Sequence, residues 1–353
     1  MENLLSVPTG HRKNETYLLD AGWGCGDERP LPQSERQLLA AVEFGRQSVP
    51  ATATPCLTAR VPLQPLLNAP GREIWYSNRP VQRSTRDGID LAWDGVALFG
   101  CLSQLDHGKD PEQCSQDAFQ KIIETVRSQG YPILVRMWSY LPRINDPDET
   151  GLERYRAFCK GRHHAFMATH GYRETWLPAG TGIGCRGSEF VVLFLALKQG
   201  SIANIENPHQ IPAYQYPERY GPRAPSFARA TAVSWHEEAG SIYVSGTSSI
   251  LGHETLHAGN VEKQCLQTLD NIESLLSSSN LARYGIHRRV SLPDLRNVKV
   301  YLRHEEDLPL VQSLCEDRLQ EGKPILYLNA DICRADLKVE IEGKISWTPA
   351  AGS

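Results

Sequence analysis

Close to the C-terminus, the string Leu337-Lys338-Val339-Glu340-Ile341-Glu342 alternates apolar and charged side chains. That alternation marks a strand with Leu337, Val339 and Ile341 on one face and Lys338, Glu340 and Glu342 on the other. The charged face has two readings. It is a solvated outer surface, the usual place for acids, or it is the wall of a cleft. A carboxyl in a cleft loses hydration, its pKa rises, and it can hold a proton near neutrality and donate it. The related segment 190–197 reads Phe-Val-Val-Leu-Phe-Leu-Ala-Leu and is apolar on both faces. The second segment therefore places carboxylates where its sibling places core, which favours the cleft.

Two strings match better-known chemistry and fail on context. His253-Glu254-Thr255-Leu256-His257 has the H-E-x-x-H spacing of zinc proteases. That spacing works only on a helix, where positions i and i+4 share a face. Gly252 precedes it, and the helical pattern begins only after Asn260, a natural N-cap. A loop is expected, and no metal. Gly182-Ile183-Gly184-Cys185-Arg186-Gly187 matches G-x-G-x-x-G, yet a dinucleotide fingerprint must open a helix. Here a strand follows, so a tight glycine turn is expected and no nucleotide. A Cys–His thiol hydrolase is a further pattern, but nine cysteines and eleven histidines make such pairings common by chance.

The elements that must position these residues come in two similar runs. The first reads strand 95–102, helix 114–129, strand 132–140, helix 151–170 and strand 190–197. The second reads strand 241–250, helix 261–277, strand 298–302, helix 308–319, strand 324–329 and strand 337–346. Phe99-Gly100 matches Ser245-Gly246, Ile123-Glu124 matches Ile272-Glu273, and Cys185-Arg186 matches Cys333-Arg334. The helix assignments rest on stripes such as Cys265, Leu269, Ile272 and Leu276. An α/β (α+β) fold follows, with two repeats of mixed sheet and helices on one face. Residues 1–70 are expected to be an N-terminal extension, 71–205 the first domain and 206–353 the second. The Pro- and Tyr-rich stretch 207–225 serves as the connection.

Composition narrows the function classes. Of 353 residues, 41% are apolar and 22% charged, ordinary for a globular protein and unlike a disordered, collagen-like or coiled-coil chain. The longest apolar run, 190–197, is too short for a membrane-spanning helix, and no secretory signal is visible after Met1. An odd, scattered set of nine cysteines fits a reduced, cytoplasmic protein, which leaves the sequon at Asn14 without consequence. The net charge of −4 argues against nucleic acid as a partner. An anionic small substrate would have to be caught by a local arginine cluster.

Four strings, in this order, resemble the chorismatases: Tyr140-Leu141-Pro142-Arg143-Ile144-Asn145, then 220–230 from Tyr220 to Ala230, 245–255 from Ser245 to Thr255, and 331–342 from Asp331 to Glu342. The likeness runs from about residue 72 to the C-terminus. The second half also resembles the small enamine/imine deaminases of the Rid family, whose strand likewise reads V-K-V-E-I-E. The resemblance implies two Rid-like (chorismate-mutase-like) repeats, cleavage of the enolpyruvyl ether of chorismate, no cofactor and a monomer. It implies Glu340 as the catalytic acid. For a substrate with two carboxylates, arginine forks are the natural partners, and Arg143, Arg223, Arg229, Arg303 and Arg334 are the candidates, with Tyr220 beside them.

Two positions separate product types within the family. Gly246 and Cys333 match the 3-hydroxybenzoate-forming enzymes, where hydrolases tend to carry alanine. The expectation is that Gly246 leaves room beside the substrate and that Cys333 acts on an electrophilic ring intermediate as a thiolate. The alternatives are hydrolysis to a dihydroxycyclohexadiene carboxylate, a mixed 3-/4-hydroxybenzoate product, a non-catalytic Rid-like binding protein, and a zinc hydrolase.

Overall fold

The computed structural model describes residues 19–23, 36–45, 56–67, 71–106, 110–170, 173, 176–236 and 239–348; the sequon at Asn14 lies outside them. Five strands come first: β1 (Leu19–Trp23), β2 (Gln37–Phe44), β3 (Leu57–Val61), β4 (Gln64–Pro65) and β5 (Arg72–Ser77). The first repeat follows as β6 (Gln82–Arg86), β7 (Ile89–Trp93), β8 (Ala97–Leu105), α1 (Pro111–Ser128), β9 (Ile133–Pro142), α2 (Arg154–His170), β10 (Ala179–Cys185) and β11 (Glu189–Leu197). The second begins β12 (Ser201–Ile205), β13 (Ala230–His236), β14 (Ala239–Ser248), β15 (Ile250–Leu251), β16 (Glu254–Thr255), α3 (Val261–Leu276) and α4 (Ser278–Ala282). It ends β17 (Arg296–Leu302), α5 (Leu308–Leu319), β18 (Ile325–Asn329), β19 (Asp331–Ile332) and β20 (Val339–Trp347).

The repeat is borne out by the sheets. One runs β10-β9-β11-β8-β7-β6 and the other β18-β17-β20-β14-β13-β12, the same order. In each, a parallel pair (β9 with β10, β17 with β18) is joined through a helix, as a parallel connection requires. Each sheet also borrows an edge strand. β19 of the second repeat pairs with β10 of the first, Ile183 opposite Ile332, and β4 pairs with β18. Borrowed strands cover edges that would otherwise invite association.

Two boundaries differ from the sequence expectation. β5, past residue 70, belongs to the N-terminal sheet β1-β5-β2-β3, and β12, before residue 206, belongs to the second repeat's sheet. Proline and glycine mark loops, not which sheet a strand joins. The Cys-Arg match also fails to superimpose, because Cys185 ends β10 whereas Cys333 lies beyond β18, the counterpart of β10.

Helices cover the outer face of each repeat. Phe119, Ile122 and Val126 of α1 pack with Leu98 and Phe194, and Cys265, Leu269, Ile272 and Leu276 of α3 pack with Val339 and Ile341. The inner faces of all three sheets share a central core that includes Trp75, Phe99, Trp138, Tyr243 and Tyr301. β20 divides the two environments. Val339, Ile341 and Ile345 face the helices, while Glu340, Glu342 and Lys344 are all buried. The polar face of this strand is thus the inner one, and the solvated-surface reading fails. Leu337 precedes the strand and packs in the central core, apart from Val339 and Ile341.

Candidate active site

A cleft of about 550 Å³ opens where β10 and α2 of the first repeat meet β14, β20 and the 333–336 segment of the second. That volume suits a small molecule. Glu340 lines it and is 4% exposed. Burial pushes its carboxyl up to about 8, and the neighbouring Glu342 adds to the rise, against the hydrogen bond from Ser248 and the charges of Arg136 and Arg229. Ser248 Oγ donates to Glu340 Oε2 at 3.1 Å. The group is therefore a neutral acid at neutral pH, oriented by one hydroxyl.

Gly246 lies opposite, where the β14–β20 register shifts between Val244 and Thr247. A Cβ at this position would overlap the Glu340 carboxyl and come 3.1 Å from Thr181 Oγ1. The space that the glycine frees is thus filled by the acid itself, which corrects the expectation of room beside a substrate. Cys333 is half-buried and lines the same cleft. Burial and the charge of Glu340 drive its thiol far up, with Arg334 opposing. It is a neutral thiol, so the thiolate role does not hold.

The five expected arginines divide. Arg229 is 3% exposed, lines the cleft, and donates to Tyr216 Oη at 2.6 Å and the Ile211 carbonyl at 3.3 Å. Its Nε is buried with no hydrogen-bond partner among the described residues. Arg334 stands at the mouth, 4.0 Å from the Tyr220 ring centroid, and donates to the His253 carbonyl and Thr255 Oγ1. Tyr220 lines the cleft with it. Arg303 is spent on the protein, because its guanidinium bonds the carbonyls of Ile332, Arg334 and Leu337, Asn145 Oδ1 and Asp331. It clamps the segment that carries Cys333. Arg143 and Arg223 are exposed and outside the lining. Arg143 reaches Asp106 at 3.5 Å, and Arg223 is close enough to His163 to help burial lower that imidazole's pKa.

Sequence reasoning missed Arg162. This α2 residue lines the cleft at 3% exposure, ringed by Phe158 at 5.0 Å, Phe119 at 5.6 Å and Phe227 at 5.9 Å. Its Nε, like that of Arg229, is buried without a partner among the described residues. Neither guanidinium forms a close salt bridge among those residues, although the charge of Glu206 favours that of Arg229. Two buried cations facing one cleft form a receptor for anionic groups. A signal existed in the sequence: Tyr155, Phe158, Arg162 and Phe166 share one helical stripe, so Arg162 occupies a core position.

Neither of the two decoy motifs lies on a helix. The H-E-x-x-H string forms the β15–β16 ribbon, Ile250 opposite Thr255, closed by Gly252 at φ +57. With Glu254–Thr255 in a strand, the string lacks the helical turn that would stack positions i and i+4 within reach of one metal. His253 Nδ1 instead meets Arg219 at 2.9 Å and Tyr220 Oη at 3.2 Å. The G-x-G-x-x-G string is β10 and the turn into β11, with Gly187 at φ +91.

Residues 73–196 match the family model described as Chorismatase FkbO/Hyg5-like, N-terminal. A 3-hydroxybenzoate synthase of Streptomyces hygroscopicus is 42% identical over 279 residues, covering 78% of this chain and 82% of that protein. A chorismatase of Streptomyces rapamycinicus is 39% identical, with 78% and 82% covered. A chorismatase crystal structure superimposes with a TM-score of 0.83 at 34% identity, covering 93% of this chain and 98% of that one. At such identity over most of both lengths, this chain belongs to the chorismatase family of enzymes.

Proposed function

We propose that the protein converts chorismate to 3-hydroxybenzoate and pyruvate, with Glu340 as general acid. The observation that carries this reading is a carboxyl kept neutral at the wall of a cleft that also holds two buried guanidinium groups whose Nε atoms have no hydrogen-bond partner among the described residues. Arg162 and Arg229 bind the two substrate carboxylates, and Arg334 with Tyr220 closes the mouth. Glu340 gives its proton to the terminal methylene carbon of the enol ether, which turns the ether carbon into an oxocarbenium centre. The ring hydroxyl oxygen then bonds the ether-bearing ring carbon as the ring C–O bond to the enolpyruvyl group breaks. Pyruvate leaves, and the hydroxyl proton returns to Glu340. The strained epoxide opens, loses a ring proton and aromatises, so atoms balance without water. The product choice rests on the 3-hydroxybenzoate synthase relative together with Gly246 and Cys333. Gly246 lets the acid lie against β14, and the neutral Cys333 thiol keeps water from the ring.

Incubation with chorismate and chromatography of the products tests the reaction. 3-Hydroxybenzoate and pyruvate in equal amounts are expected; the diene diol or 4-hydroxybenzoate as main product would overturn the product assignment, and no turnover would overturn the enzyme. Glu340→Gln preserves shape without a transferable proton, and turnover should fall about 10²–10⁴-fold, the usual weight of a general acid. A variant that retains its rate would show that another group protonates the carbon.

A further inference from the structure

Behind the acid, away from the cleft lining, lie four buried ions from four strands. Arg136 of β9 pairs with Glu342 of β20 at 2.7 Å, Lys299 of β17 pairs with Glu342 at 2.9 Å, and Lys299 pairs with Glu73 of β5 at 2.8 Å. All four are 1–3% exposed. Trp138 Nε1 donates to Glu342 Oε1 at 2.9 Å. Thr181 joins this group to the cleft: its hydroxyl donates to Glu342 and accepts from Arg136 and from the backbone N–H of Gly246. Two cations face two anions, so the set is neutral. Apolar side chains of similar volume would fill such a space at equal or lower cost, so stability alone does not explain it.

We propose that Glu342 is a positioning residue which, with Glu73, engages the buried cations Arg136 and Lys299 so that neither pairs with Glu340, and the acid keeps its proton. The geometry supports the division of labour. Glu342 and Glu340 are two residues apart on one strand face, about 7 Å by strand rise. Arg136 and Lys299 both bond Glu342, whereas among the described side chains only Ser248 hydrogen-bonds Glu340. Burial would raise Glu342 as it raises Glu340, but Lys299 and Arg136 hold it below the usual carboxylate range. The other titratable groups facing Glu340 do not supply a competing anion. Arg229, just before β13, is a cation held by Tyr216, while Cys333 and Tyr301, the latter opposite Glu340 on β17, are driven far up by burial and stay neutral.

The proposal rests on Glu340 being the proposed acid, and its test does not need turnover. The carboxyl stretch of Glu340 is followed by infrared spectroscopy across pH in the full-length protein without substrate, as the difference from the Glu340→Gln spectrum in the same background. Glu342→Gln leaves one buried cation uncompensated, and the Glu340 midpoint should fall by about one pH unit or more, the effect of a nearby opposite charge. Lys299→Met removes a cation, and the midpoint should rise. Glu73→Gln, at the far end on the N-terminal sheet, should move it downward by less and carries the test should Glu342→Gln not fold. Opposite signs from the two sides of one network are what a packing role would not produce. A midpoint that stays fixed, or moves the same way in the acidic and basic variants, overturns the proposal. Failure of wild-type protein to turn over chorismate would instead sink the reaction and leave the titration standing.

Discussion

As the proposed acid, Glu340 faces two opposing demands: a proton donor must be neutral at working pH, and burial of a neutral carboxyl costs stability once the unfolded chain would rather ionise it. Its folded value near 8 lies above the ordinary 4.5. Between these values the unfolded chain binds fewer protons, so stability falls as pH rises from 4.5 to 8. At pH 7 the cost is on the order of 3 kcal/mol at 1.36 kcal/mol per unit. Urea unfolding should therefore find Glu340→Gln more stable than wild type at pH 7 and the two alike near pH 4. The same titration sets the rate: kcat/KM should hold through neutrality and fall about tenfold per unit above pH 8, since only the protonated free enzyme reacts. A flat alkaline profile would remove Glu340 as the acid. Gly246 belongs to the same argument. An alanine Cβ there meets the far end of a flexible side chain, so the acid moves and the fold survives. Gly246→Ala with Cys333→Ala should shift product from 3-hydroxybenzoate toward the diene diol while pyruvate release continues. A double variant that makes 3-hydroxybenzoate alone would free these positions from product control.

At the scale of elements, α2 shows how a helix serves a site. Tyr155, Phe158 and Phe166 sit in or against the first repeat's outer core, and their stripe holds Arg162 over the cleft. Arg162→Met keeps the stem and the packing but removes the fork. A charge-assisted bond is worth about 1.5–3 kcal/mol, so kcat/KM for chorismate should drop about 10–150-fold with the loss chiefly in KM; an unchanged KM would place the substrate carboxylate elsewhere. Such details mark the limit of what was legible. Helical stripes and strand alternation gave α3, α5 and β20 within a residue or two, because those periods depend on local geometry alone. The string around Glu340 pointed to the carboxyl that is buried in the cleft wall. Partner choice was not legible, since nothing local in Asp331–Ile332 or Gln64–Pro65 tells that each crosses to a neighbouring sheet. Nor was the fate of Arg303, whose motif position suggested a ligand while its donors hold the Cys333 segment. Whether an arginine faces substrate or backbone is decided by tertiary contacts, and sequence spacing carries no record of them.

Across the whole molecule, both repeats of one chain line the cleft. The first repeat gives Arg162 and Thr181, the second gives Glu340, Gly246 and Arg229, and the N-terminal sheet adds Glu73 to the network behind them. A single repeat could reach such a composite site only by assembling with a separate subunit; here covalent linkage fixes the two repeats at a high effective concentration. The borrowed strands β19 and β4 strengthen the link, since each sheet is completed by hydrogen bonds from a different part of the same chain. With both repeats lining the cleft within one chain, the protein should act as a monomer. Sedimentation across a range of concentrations should give the mass of one chain, 39.4 kDa, and activity per milligram should stay constant on dilution from micromolar to nanomolar enzyme. Activity that declines on dilution in step with loss of a larger species would mean that a neighbouring chain completes the site, and the cleft as drawn from one chain would be missing a wall.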